Sequence, residues 1–321
     1  MSEPSDRRGL KAIFRGLTLV GSLALSAFLI WKDREDLRDL RNVSFGIALA
    51  MIGLQAAYLV TQSEKLRWIL REHAEKDVPP LEWTRIFLIG RLFNGLLMQS
   101  GNAYRLVALK QRYEINYSRY VSSLAAQTWT SVLLSLVIAV MLLAMAPGNS
   151  EIAPGILGSL ILLTVLVGIG PTLARTVTRS RWIRRRGGRP WRALRGAIER
   201  VAATLTSRSL AIPIIVTTLL GFVVGVFNIS LAFNAAGHAV PLYASATLLA
   251  LMQITNLVML TPGNLGIQEL GYAAIISFLG VPAATGIVAS AIVRVTGMIA
   301  LAISTVLVDF AVRSTGNRAE R

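Results

Sequence analysis

Cysteine is absent from the 321 residues, and histidine occurs only at His73 and His238. Disulfide scaffolds, cysteine-rich zinc sites and thiol catalysis are thereby excluded together. No HExxH pair, P-loop, Rossmann glycine pattern or Asp-rich pyrophosphate motif is present. The sequence names no cofactor and no metal, and the expectation is a protein that is not an enzyme. Charge is scarce too, at 16% of residues, while 54% are hydrophobic, more than a soluble domain of this length can bury. The surplus must face lipid.

The net charge of +16 fits either a nucleic-acid surface or loops that obey the positive-inside rule, and position decides between them. Eleven of the 33 basic residues fall between Arg175 and Arg208, and most others sit in short loops or tails beside apolar runs. No nucleic-acid partner is expected.

A crossing helix needs about 20 mostly apolar residues. Such runs recur at 12–31, 43–62, 120–146, 156–174, 210–236 and 282–312. The first resembles a signal peptide but lacks a small-residue cleavage pattern, so it reads as a retained anchor. Two further apolar segments, 86–109 and 243–280, are interrupted by Ser100-Gly101-Asn102 and by Thr261-Pro262-Gly263-Asn264-Leu265-Gly266. Helix breaks at membrane depth are tolerated only inside protein or a cavity.

The loops fix the orientation. Loop 147–155 holds no Lys or Arg and loop 237–242 only His238, whereas 175–209 holds eleven Arg. The first two therefore face outward and the third the cytoplasm. Loops 63–85 and 105–119 are both basic and need the inner side, so 86–109 dips in and returns, and 243–280 does the same from outside. The expected architecture is an all-α polytopic membrane protein of six crossings and two re-entrant helical hairpins, an inverted repeat with both termini inside. Residues 1–315 form one transmembrane domain, with halves of about 10–146 and 152–312, and 316–321 are a polar tail. The breaks at Gly101 and Gly263 should meet near the bilayer midplane. This places the protein in a cytoplasmic (inner) membrane.

Two inner segments read as interfacial. Residues 64–77 set Leu66, Ile69 and Leu70 on one helical side among charges, with His73 solvated, and Trp182 to Leu205 interleaves aromatic and basic residues. The Arg175–Arg208 segment should lie on anionic lipid headgroups.

Charges at membrane depth are costly and tend to be functional. Here they are Arg91, Arg105, Glu269 and Arg294, with Asp309 near the end of the last helix. Glu269 follows the Thr261–Gly266 break, where a new helix directs free amides into the membrane centre and could bind an anionic headgroup. Alternatively Glu269 and Gln268 only complement their own helix N-terminus, and Arg294 only pairs with Glu269. Asn94, Gln127, Thr128, Asn228, Gln253 and Asn256 read by default as hydrogen bonds between helices, and Gly221 with Gly225 as close packing.

At these residues the chain resembles the lysylphosphatidylglycerol synthase transmembrane-domain family, also called flippase-like domain proteins. Thr261-Pro262-Gly263-Asn264-Leu265-Gly266-Ile267-Gln268-Glu269 is similar to that family's Pro-Gly-Gly-x-Gly-x-x-Glu, and a later helix bears Arg294. The first-half pattern, Gly-Glu-x-x-Arg, stands here as Gly101-Asn102-Ala103-Tyr104-Arg105; Asn102 replaces the carboxylate, and Gln127 replaces an acidic residue of the following helix. The resemblance implies a lipid translocator that moves anionic, aminoacylated or lipid-linked headgroups between leaflets. Its substrate would be a membrane phospholipid or a lipid-linked glycan. Substrate-binding residues are then expected at Asn102, Arg105, Gly263, Asn264, Gly266, Glu269 and Arg294, with Arg105 and Arg294 on the headgroup and Glu269 holding Arg294. No aminoacyl transferase domain is expected with this membrane domain, so a synthetic partner would be a separate protein. A second reading is a non-transporting membrane partner or anchor for a glycosyltransferase or lipid-modifying enzyme.

Overall fold

Ser44 opens the first helix by accepting a hydrogen bond from the Gly46 amide on its side chain (3.2 Å) and from Ile47 and Ala48 on its carbonyl. The computed structural model describes residues 44–74, 76–96, 100–145, 153–179, 196, 198–204, 207–255, 264, 266–277 and 280–319. All regular structure among them is helical. In chain order the principal helices are α1 (Phe45–Ala74), α2 (Pro80–Leu96), α3 (Ser100–Tyr113), α4 (Tyr117–Ala144), α5 (Ala153–Arg179), α6 (Arg208–Ala235), α7 (Leu242–Thr255), α8 (Ile267–Ser277) and α9 (Ala283–Ala319).

Among the described residues four stretches are long and apolar enough to cross a membrane: Phe45–Ala74, Tyr117–Ala144, Ser209–Ala235 and Ala283–Thr315. Within α5 the apolar stretch is Leu157–Gly170. The crossing expected at 12–31, most of the basic segment Trp182–Leu205, and Gly263 lie outside the described residues. Of the two expected breaks, Ser100-Gly101-Asn102 forms the first turn of α3, whereas Asn264 and Gly266 of the second precede α8.

One boundary differs from expectation. Residues 64–74 do not form a separate surface helix; they continue α1, whose 30 residues rise roughly 45 Å, well past a hydrocarbon core of about 30 Å. Leu66, Ile69 and Leu70 are buried there, two of them in a cluster with Val78, Trp83, Phe87 and Leu109. Trp83 closes this cluster by donating its indole N–H to the Ser63 carbonyl at 2.8 Å.

Glycine turns end two of the other helices. After α6, Gly237 takes φ 84°, and the amides of Gly237 and His238 return to Asn234 and Phe233. After α8, Gly280 takes φ 77°, and the amides of Gly280 and Val281 return to Ser277 and Ile276. Both follow the left-handed glycine cap that satisfies otherwise orphaned carbonyls.

Helices α1 and α6 form the central pair. A Cβ on Gly221 would stand 3.1 Å from the Thr61 hydroxyl, and one on Gly225 2.7 Å from Leu249 of α7, so these glycines do permit close packing. Asn228 ties the same pair together: its amide donates to the Met51 carbonyl (3.1 Å), and its oxygen accepts from Gln55 (3.0 Å). In lipid each such bond contributes about 1 kcal/mol. Around the pair, α2 packs on α9 and α7 on α4.

Candidate functional site

The second-half break leads into α8 through two left-handed residues, Asn264 (φ 53°) and Gly266 (φ 80°). This turn puts the Gly266 amide over the first turn of α8, where one oxygen of Glu269 accepts it at 2.7 Å. The other oxygen receives Arg294 of α9, with Nε at 2.9 Å and Nη2 at 2.7 Å. Arg294 also donates to the Gln268 side chain at 3.3 Å. Glu269 thus complements its own helix terminus and neutralises a guanidinium with the same carboxylate. A two-pronged arginine contact orients as well as neutralises, so α8 and α9 are locked in one register here. Gly286 of α9 lies so near α8 that a Cβ would meet Ala273 backbone at 2.9 Å. One turn beyond Glu269, the buried Tyr272 stacks on Phe233, with ring centroids 6.4 Å apart.

The first-half break is built differently. Successive contacts of Glu82 with Tyr113, Phe87 with Arg105, Gly90 with Gly101, and Phe93 with Ser100 show that α2 and α3 run antiparallel as a helical hairpin. At the start of α3 the Gly101 amide donates to Asn94 of α2 at 2.8 Å, which satisfies one free amide of the helix terminus. Any side chain on Gly101 would run into the Gly90 carbonyl.

Arg105 is 3% exposed and turns back into its own hairpin. It donates to the Phe87 carbonyl at 2.8 Å and to the Asn102 side chain at 3.3 Å, and its Nε finds no hydrogen-bond partner. Its guanidinium carbon lies 4.6 Å from the centre of the Phe87 ring; that of Arg91 lies 5.6 Å from the same ring. The Tyr120 hydroxyl reaches Asn102 at 3.4 Å. Tyr58 of α1 is an electrostatic neighbour of both Arg91 and Tyr272.

Of the residues expected to bind substrate, the structure brings Gly266, Glu269 and Arg294 together, and separately Asn102 and Arg105. Among the described residues no hydrogen bond or ion pair joins the two groups. Asn264 is buried at the turn, and Gly263 lies outside the described residues. Asp309, expected near the end of the last helix, joins α9 to α2 by an ion pair with Arg85 at 2.6 Å and also holds Arg313 at 2.8 Å.

Sequence reasoning missed three features. Lys65, counted with the loop charges, is buried against the Ser131 hydroxyl at 2.6 Å. His73 is not simply solvated but lies between the hydroxyls of Ser123 (2.9 Å) and Thr204 (2.7 Å). Arg91, noted only as a charge at depth, shares a ring with Arg105. Gln127, as expected of glue, donates to the Gln62 carbonyl at 3.0 Å.

Residues 19–304 match the family model described as the lysylphosphatidylglycerol synthase TM region. No curated protein and no solved structure matches the chain.

Proposed function

The chain belongs to the lysylphosphatidylglycerol synthase transmembrane-region family, and from that premise we propose that it is a lipid translocator of the inner membrane and not an enzyme. It moves anionic, aminoacylated or lipid-linked headgroups between leaflets. The observation that carries this reading is Arg294, a guanidinium deep in a 37-residue helix, held by a carboxylate at the start of a helix that follows a break. Charges at membrane depth mark substrate pathways in membrane proteins.

The reading takes the fold as an inverted repeat in which the helix pairs α2–α3 and α7–α8 are re-entrant. Packing supports it. If α1, α2, α3 and α4 correspond to α6, α7, α8 and α9, then α2 on α9 mirrors α7 on α4, α1 on α4 mirrors α6 on α9, and α1 on α9 mirrors α6 on α4. Binding sites of inverted-repeat transporters lie where broken helices of the two halves approach.

The test is reconstitution of the full chain into liposomes carrying labelled phosphatidylglycerol, lysyl-phosphatidylglycerol or phosphatidylcholine, with movement read from the accessibility of the label. Movement of the anionic or aminoacylated lipids is expected, and Arg294→Gln should abolish it in a folded protein. If Arg294→Gln combined with Glu269→Gln moves lipid at the wild-type rate, the pair is only structural. No movement of any labelled lipid by the wild-type chain would overturn translocation and favour the anchoring role.

A further inference from the structure

Among the described residues several arginines of α1, α2 and α9 are ion-paired, Arg71 with Asp77 among them. Arg67 has Glu64 and Asp77, Arg85 and Arg313 have Asp309, and Arg294 has Glu269. Arg91 and Arg105 are different. Among the described residues neither has a carboxylate within ion-pair distance, yet both guanidiniums lie against the one Phe87 ring. A ring face attracts a cation but leaves its charge in place, so two cations on one ring in a low-dielectric setting repel each other until an anion joins them.

The surroundings fit that anion. Arg91 is exposed, so an anion can reach its guanidinium. Tyr58 and Tyr120 are its electrostatic neighbours, and phenol hydroxyls donate to anions readily. The Nε of Arg105 is buried without a partner. Asn102, whose amide oxygen meets Arg105, contributes no charge to offset either arginine.

We infer that Arg91, with Arg105 against the same Phe87 ring, forms a binding site for a phosphate group. A guanidinium offers a planar pair of donors that matches two phosphate oxygens, which a lysine cannot reproduce. The phosphate is carried by a lipid headgroup or is free in solution; the chemistry is shared. The inference deepens the translocator reading, and it rests on that reading for the lipid as carrier and for nothing else.

The experiment measures binding of short-chain phosphatidylglycerol, short-chain phosphatidylcholine and inorganic phosphate to the purified full chain in a neutral detergent. Wild type is compared with Arg91→Gln, Arg91→Lys and, as a control for general surface attraction, Arg71→Gln. Arg91→Gln should weaken phosphatidylglycerol binding roughly tenfold or more, Arg91→Lys less, and Arg71→Gln hardly at all. Phosphatidylcholine bound in the same Arg91-dependent way means the phosphate diester alone is read. Inorganic phosphate bound as tightly as lipid assigns the site to the free anion. Wild-type affinity in Arg91→Gln, or an equal loss in Arg71→Gln, overturns the site. Should Arg91→Gln not fold, an undiminished affinity in Arg91→Lys overturns the bidentate geometry and a loss upholds it. Arg91-dependent binding in a chain that moves no lipid would sink the translocator and leave the site; the reverse result would sink the site alone.

Discussion

The two breaks start from similar sequence and arrive at different electrostatics. In the second half Glu269 links the Gly266 amide to Arg294, so a helix start and a neighbouring helix share one neutralised centre. In the first half the residue in the corresponding pattern is Asn102, and its arginine turns away to the Phe87 carbonyl of its own hairpin. Packing follows the charge: α8 lies extensively on α9, whereas α3 barely touches α4. A carboxylate at a helix start thus ties a neighbouring helix to it, whereas an amide there leaves Arg105 to the carbonyl of its own hairpin.

Removing the second-half anchor tests that contrast most severely. Glu269→Gln removes the carboxylate that takes Arg294 and weakens the hold on the Gly266 amide. Folding should fall by about 2 to 3 kcal/mol, read as loss of the folded fraction in detergent during thermal or denaturant unfolding. A variant as stable as wild type would show that the pair anchors nothing. Helix proximity gives the next test. Gly101→Ala must push the Gly90 backbone carbonyl aside and should cost about 2 kcal/mol by the same measurement. Gly271→Ala meets only the flexible end of Met252, at 2.6 Å, and should stay within about 0.5 kcal/mol of wild type. Equal costs at the two glycines would mean that the two hairpins are held together alike.

Much of this was legible in the sequence because lipid exposure leaves long apolar runs and breaks leave Gly, Pro and Asn. The segments 120–146, 210–236 and 282–312 correspond to α4, α6 and α9 within a few residues at most ends. Both local readings of Glu269, as cap and as ion partner, hold together, since each depends on residues close in sequence or on the scarcity of buried charge. What stayed hidden depends on distant partners. Lys65 and His73 look like loop residues until Ser131, 66 positions away, and Thr204, 131 positions away, are brought to them. The end of α1 was misplaced because charges after Gln62 imitate a loop when the burying surface comes from Trp83, Phe87 and Leu109. Arg91 and Arg105 are indistinguishable by type; only the hairpin geometry gives one a carbonyl and leaves the other open.

The mildest test would turn the first break into a likeness of the second. In Asn102→Glu a carboxylate, one methylene longer than the amide, replaces an oxygen that already lies 3.3 Å from Arg105 and 3.4 Å from the Tyr120 hydroxyl. It can accept from both without moving either helix, and it places a negative charge beside the ring that Arg91 and Arg105 share. Stability in neutral lipid should rise by about 1 kcal/mol, because an uncompensated guanidinium gains a charged hydrogen bond. Affinity for phosphatidylglycerol should fall at the same time, since the new carboxylate repels the phosphate and neutralises the cation that would hold it. The two effects must come together. Stability gained with lipid affinity unchanged would mean that Asn102 and Arg105 form a closed structural pair, and that the absence of a carboxylate at the first break leaves no vacancy for an anion.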